Sequence, residues 1–197
     1  MTRIADAFTW PFRAAFSVWL IGIVAILFWP VLFIPLAGYA IAATRSAAGT
    51  PPSWALTWRL LTDGFWESLA IAITLAPFAL AFFAASRTFG GFGLLILFFG
   101  LLLLWGLVAL LLLPHATAAF ASSGRPGDLF DVVASLRGVR HDFATWNVAV
   151  AAIVTGWAIG LACVALLCVG LVPGIFYAIL VSAHATAALA DPHPSAR

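Results

Sequence analysis

Lysine is missing from this sequence, and charge of either sign is scarce. All nine basic residues are arginine, seven residues are acidic, and charged residues make up 8% of the chain. A soluble domain carries roughly a quarter charged residues, so this composition cannot clothe a water-facing surface. The formal charge of +2 is too small to point to nucleic acid. Cysteine is nearly absent: Cys163 and Cys168 lie five apart inside one apolar run. On a helix they point to different faces, which argues against a local disulfide and leaves packing as their role. A P-loop, a zinc-protease helix and a GxSxG elbow are also missing, and no Ser, His and Asp are spaced as a triad. The chain is therefore expected not to be an enzyme and to need no cofactor.

What is present is apolar surface. Hydrophobic residues are 64% of the chain and the mean hydropathy is +1.14. The runs are long enough for bilayer-crossing helices, which need about 20 residues, and they do not alternate as barrel strands would. The expected fold is all-α: one transmembrane helical bundle over residues 1–197. A signal peptide is the other reading of the N-terminus. The run from Phe16 to Ile41 is interrupted by Pro30 and Pro35 and too long for that role, so it is expected to be retained.

A short segment occurs twice. Pro114-His115-Ala116-Thr117-Ala118-Ala119 closes one apolar run, and Ala183-His184-Ala185-Thr186-Ala187-Ala188 closes another. Gly38 to Arg45 is a weaker third copy. The repeat divides the chain into units of about 5–50, 53–124 and 128–190. Each reads as a hairpin, giving six crossings. In the first unit, Phe16–Trp29 and Val31–Ala43 are two short helices separated by Pro30. The competing reading, one kinked helix, inverts everything downstream.

Two amphipathic helices are expected at the membrane surface. In Trp54–Glu67, after a Ser53 cap, Trp54, Trp58, Leu61 and Phe65 form an apolar face opposite Arg59, Asp63 and Glu67. The second begins near Asp128 as N-cap, with Leu129, Val132, Val133, Leu136, Val139 and Phe143 opposite Asp131, Ser135, His141 and Asp142. The crossings that follow are Ser68–Phe83 (bent or ended near Pro77), Leu94–Leu113, Val148–Leu167 and Ile175–Leu189. In the hairpin arrangement every arginine except Arg87 lies on one side. The positive-inside rule makes that side cytoplasmic, with both chain termini, in the cell (inner or plasma) membrane.

Trp10-Pro11-Phe12-Arg13, Gly38-Tyr39 followed by Arg45, and Pro52-Ser53-Trp54 leading to Thr62-Asp63-Gly64-Phe65 occur in order. Leu136-Arg137 through Asp142-Phe143, Leu167-Cys168-Val169-Gly170-Leu171 and Val181-Ser182-Ala183-His184 follow. From about Ala5 to Ala190 the chain resembles the prokaryotic integral membrane family catalogued as domain of unknown function four-thousand-thirteen. It departs at Ala185-Thr186, where that family commonly shows Leu-Tyr-Gly after the His. The resemblance implies an integral membrane bundle and supplies no catalytic residues.

On this map no acidic or basic residue is membrane-embedded, which counts against an ion-coupled transporter. His115 and His184 are the candidate cofactor-binding residues, two imidazoles able to hold a metal or the magnesium of a chlorophyll-type pigment. The simpler role for each is a hydrogen bond near the interface. Thr117 and Thr186 are expected to bond back to helical carbonyls, with Trp105 and Trp157 packed between helices or against a partner. The leading expectation is a non-catalytic structural or accessory subunit, partnered by the lipid bilayer and by protein within the membrane. A permease-like small-molecule carrier and a pigment- or metal-binding subunit are the alternatives.

Overall fold

The computed structural model describes residues 6–88, 90–163 and 170–190, and among these residues the fold is wholly helical. Seven helices run as α1 (Phe16–Leu27), α2 (Trp29–Arg45), α3 (Trp58–Ala85), α4 (Gly91–Ser123), α5 (Val132–His141), α6 (Phe143–Ala162) and α7 (Leu171–Ala187). Cys168 lies outside the described residues, and α7 begins at Leu171 rather than at the Ile175 expected for the last crossing; Cys163 is a free, half-buried thiol.

Three helices, α3, α4 and α6, are long and apolar enough to cross a membrane. α1 has 12 residues, and α2 and α7 have 17 each. At 1.5 Å per residue they reach roughly 18–26 Å, short of the roughly 30 Å hydrocarbon layer.

Two helices rather than one fill Phe16–Arg45. The break is at Phe28, and Pro30 follows in the first turn of α2, where its missing N–H breaks no intrahelical bond. The ends of the pair meet: the Trp10 indole N–H donates to the Gly49 carbonyl at 2.8 Å, and that of Trp54 to Val18 at 3.2 Å. Tyr39 stacks on Trp54 with centroids 4.1 Å apart and donates its hydroxyl to the Pro52 carbonyl at 2.9 Å.

The core lies at one end of the molecule. Trp10, Tyr39, Phe176 and Leu180 form its centre, and Ile41, Phe120 and Leu129 form a second cluster beside it. Glycine permits the closest approaches. A Cβ on Gly38 would lie 1.9 Å from the Leu60 carbonyl oxygen, and one on Gly64 1.9 Å from that of Ile34, so α2 and α3 touch backbone to backbone. Small residues serve helix contacts in membranes in this way. Gly160 and Gly174 do the same between α6 and α7. By contrast, no described residue from 71 to 108 is buried.

Several sequence expectations are corrected. Trp54–Glu67 is not a separate surface helix: Thr57 caps α3 in place of Ser53, accepting from the Leu60 N–H at 3.2 Å, and α3 continues through Pro77 to Ala85. Its faces are also partly exchanged, although Leu61 still packs inward and Arg59 stays exposed. Trp58 is 80% exposed and Phe65 49%, whereas Asp63 and Glu67 are each 8% exposed. Where the surroundings are apolar, outward rings cost nothing and carboxylates turn to partners within the protein. Glu67 is thus buried within α3, one position before the stretch Ser68–Phe83 expected to cross.

The first His-Ala-Thr-Ala-Ala segment lies in the last turns of α4, as expected of a segment that closes its run; the helix continues through Pro114 and stops at Gly124, whose φ is +70°. The cap of α5 is Asp131, accepting from the Ala134 N–H at 2.8 Å. Pro126 holds Asp128 in a preceding 3-10 turn, where its carboxylate accepts from the Ser123 hydroxyl and pairs with Arg125 at 3.3 Å. Trp157 is 38% exposed, and its indole N–H donates to the Ser182 hydroxyl at 3.1 Å.

Candidate functional site

The C-terminal ends of α2, α4 and α7 are the three segments of small residues that the repeat marks, and they converge. Thr44 and Arg45 from α2, Ala121 and Ser122 from α4, and His184 and Ala187 from α7 line one cavity of about 610 Å³. Asp6 and Arg13 approach it from the N-terminal segment, and Ala190 from the end of the described chain. Alanine builds much of the wall, which lets three helix ends meet without filling the space between them.

Arg45 is the residue around which this end is built. Its Nη1 donates to Asp63 Oδ2, and its Nε donates to the Ala121 carbonyl at 2.8 Å. The guanidinium carbon lies 5.9 Å from the Phe120 ring centroid, a cation–π distance. Arg59 approaches the same carboxylate at 3.8 Å from its exposed side. A cation is well placed here, because the last carbonyls of a helix carry partial negative charge and lack intrahelical donors.

One helical turn deeper lies a second polar rung. The Thr117 hydroxyl donates to Glu67 Oε1 at 2.9 Å, joining α4 to α3. Thr117 was expected to bond back to its own helix, as Thr44 does to the Ala40 carbonyl at 2.9 Å. Instead it takes a carboxylate fifty positions away. Because Asp63 and Glu67 are four apart, as are Thr117 and Ala121, the two rungs stack along one seam. Glu67 Oε2 and Arg45 Nη2 are buried with no hydrogen-bond partner among the described residues. The seam therefore keeps one donor and one acceptor that the fold does not use.

The sequence candidates fall on either side of this centre. His184 lines the large cavity, its ring tilted against Trp10 with centroids 5.2 Å apart. His115 lines a different cavity of about 290 Å³ with Asp128, Asp131 and Ser135. Its Nδ1 faces Gly138 of α5, where a Cβ would come within 2.9 Å. Ser122 and Ala190 form a wall common to both cavities. His115 Nε2 and His184 Nδ1 are buried without a hydrogen-bond partner among the described residues. No group of three or more His, Cys, Asp or Glu able to hold a metal occurs among the described residues. The two imidazoles thus share a level of the molecule and face different spaces.

Arg45, Asp63, Glu67 and Thr117 were missed as a site. The four-residue spacing of the carboxylates was visible but was assigned to a solvated face, and Thr117 was visible only as part of a repeat. No curated protein and no solved structure matches the chain. Residues 21–169, 149 of the 197, match the family described as Protein of unknown function (DUF4013). The chain belongs to that family.

Proposed function

We propose that the protein is a non-catalytic integral membrane protein of the cell membrane, an accessory subunit that docks on a larger membrane assembly through α3 and α4. One observation carries this reading. From residue 71 to 108 the two helices bury no described residue, yet they present Leu80, Phe83, Phe92, Leu95, Phe99 and Leu103 outward. So long an apolar surface belongs in hydrocarbon, and lipid together with a partner's helices covers it. In this reading the charged end lies in the cytoplasm with both termini. That Asp6 and Ala190 line the same cavity supports the shared side. The short α1 and α2 pair as the first hairpin-like unit, α3 and α4 as the second, and α6 with the short α7 as the third.

The test is solubilisation in mild detergent followed by native electrophoresis. The expected result is a particle larger than the 20.8 kDa chain. Phe92→Ala with Phe99→Ala, seven apart on one face of α4, is expected to release it as a membrane-inserted monomer. Migration of the unaltered protein as a monomer alone overturns the accessory reading.

A second reading, a small-molecule carrier, draws on the buried Glu67–Thr117 rung beneath the polar cavity, since ionisable groups inside a membrane bundle mark solute or proton paths. Proteoliposomes in which Glu67→Ala leaves the uptake of every tested polar solute unchanged would dispose of it.

A further inference from the structure

The outward side of α5 combines exposed apolar residues with basic ones. Ser135 and Val139 are buried towards the body of the protein, and Gly138 abuts His115. The other side carries Val133, Leu136, Arg137 and Arg140. At spacings of three, four and seven these form one stripe, apolar at its first turn and basic at its last. Val133 is 65% exposed and Leu136 38%. Together with His141 the four residues line a groove of about 500 Å³ with no carboxylate in its wall.

Arg45, Arg59 and Arg125 each pair with an aspartate, whereas neither Arg137 nor Arg140 has an acidic partner among the described residues. Compensation of the α5 dipole needs no more than one cation in the last turn, and it gives no reason for Val133 and Leu136 to be outside. A soluble anion likewise has no use for the apolar half of the stripe.

We propose that this face of α5 is a binding site for an anionic phospholipid. Arg137 and Arg140 hold the phosphate through charge-assisted hydrogen bonds, and Val133 and Leu136 take the upper part of an acyl chain. An amphipathic helix lying at the membrane surface with basic residues beside an apolar stripe has the chemistry for this. The site rests on the membrane reading above and adds to it a preference among lipids.

The experiment incorporates the full chain into bilayers of equal parts phosphatidylcholine and phosphatidylglycerol, extracts it gently and measures the retained lipids by mass spectrometry. Phosphatidylglycerol is expected to be enriched on the unaltered protein. Each basic residue at an anionic surface contributes about fivefold, so Arg137→Gln with Arg140→Gln should reduce the enrichment by about twenty- to thirtyfold. Arg137→Lys with Arg140→Lys should keep much of it, and Arg87→Gln at the opposite end should keep all of it. A tryptophan-fluorescence melt shows whether each variant is folded. Equal retention of the two lipids by the unaltered protein overturns the proposal, as does enrichment that survives in the folded double Gln variant. Failure of the chain to enter the bilayer at all would instead overturn the membrane reading.

Discussion

Gly38 and Gly64 determine how closely α2 approaches α3, and the obstacle to any larger residue there is backbone. Overpacking costs about 1–3 kcal/mol where side chains can yield. Carbonyl oxygens 1.9 Å from the added Cβ cannot yield in that way. Gly64→Ala is therefore expected at the top of that range, about 3 kcal/mol, with a clear fall in Tm measured by tryptophan fluorescence in detergent. Gly100→Ala, with no atom within 4 Å of the new Cβ, should raise Tm slightly, because alanine improves a helix interior by about 0.5–1 kcal/mol over glycine. The Glu67–Thr117 rung allows a separate test. Thr117→Val keeps the shape but removes the donor, leaving a buried carboxyl without its bond, at a cost of about 1–3 kcal/mol. Glu67→Gln retains an oxygen acceptor and should cost less. If both variants melt with the unaltered protein, the rung contributes nothing to stability.

At the level of the helices, α3 shows what sequence can and cannot report in an apolar setting. The three- and four-residue spacings over Trp54–Glu67 identify a helix with two faces, and the structure has both faces. Which one is turned inward depends on the surroundings, and periodicity is the same in either case. The assignment of Asp63 and Glu67 to solvent failed for that reason: their partners, Arg45 and Thr117, are 18 and 50 positions away. The long spans were legible because hydropathy alone marks them. The start of α5 was legible only to within a turn, since Asp128 and Asp131 are both adequate caps and Pro126 decides between them. The recurring His-Ala-Thr-Ala-Ala segment drew attention to His115 and His184 rather than to Thr117, whose partner Glu67 is fifty positions away. The outward face of α3 makes its own prediction. Leu80 is 67% exposed in the apolar half of the helix, and an arginine at the centre of a membrane span costs about 2.5–3.5 kcal/mol. Leu80→Arg should reduce the carbonate-resistant membrane fraction, while Leu56→Arg, before α3 at the charged end, should not. Equal fractions for the two would argue against lipid around α3.

Over the whole molecule, charge is separated along the helix axes. Arg45, Asp63 and Ala121 are joined by hydrogen bonds, Asp128 is tied to Ser123, and Asp6, Arg13 and Arg45 line one cavity, so these groups share one end. Arg87 stands alone at the α3–α4 turn, 5.3 Å from the Phe83 ring centroid. The intervening stretch of α3 and α4, from residue 68 to 86 and from 88 to 114, contains no charged residue, and roughly 20 residues suffice to cross the hydrocarbon. The turn and the charged end should therefore face opposite compartments. With Cys163 and Cys168 replaced by alanine, Thr88→Cys and Ser53→Cys place one thiol at each end, both at exposed positions. In the orientation proposed above, the excess of arginine puts the charged end on the cytoplasmic side. A membrane-impermeant maleimide added to intact cells is expected to label Thr88→Cys and spare Ser53→Cys, with the pattern exchanged in inverted vesicles. Labelling of both from the same side would mean that α3 and α4 do not traverse the bilayer, and the α3–α4 surface would then need a cover other than lipid.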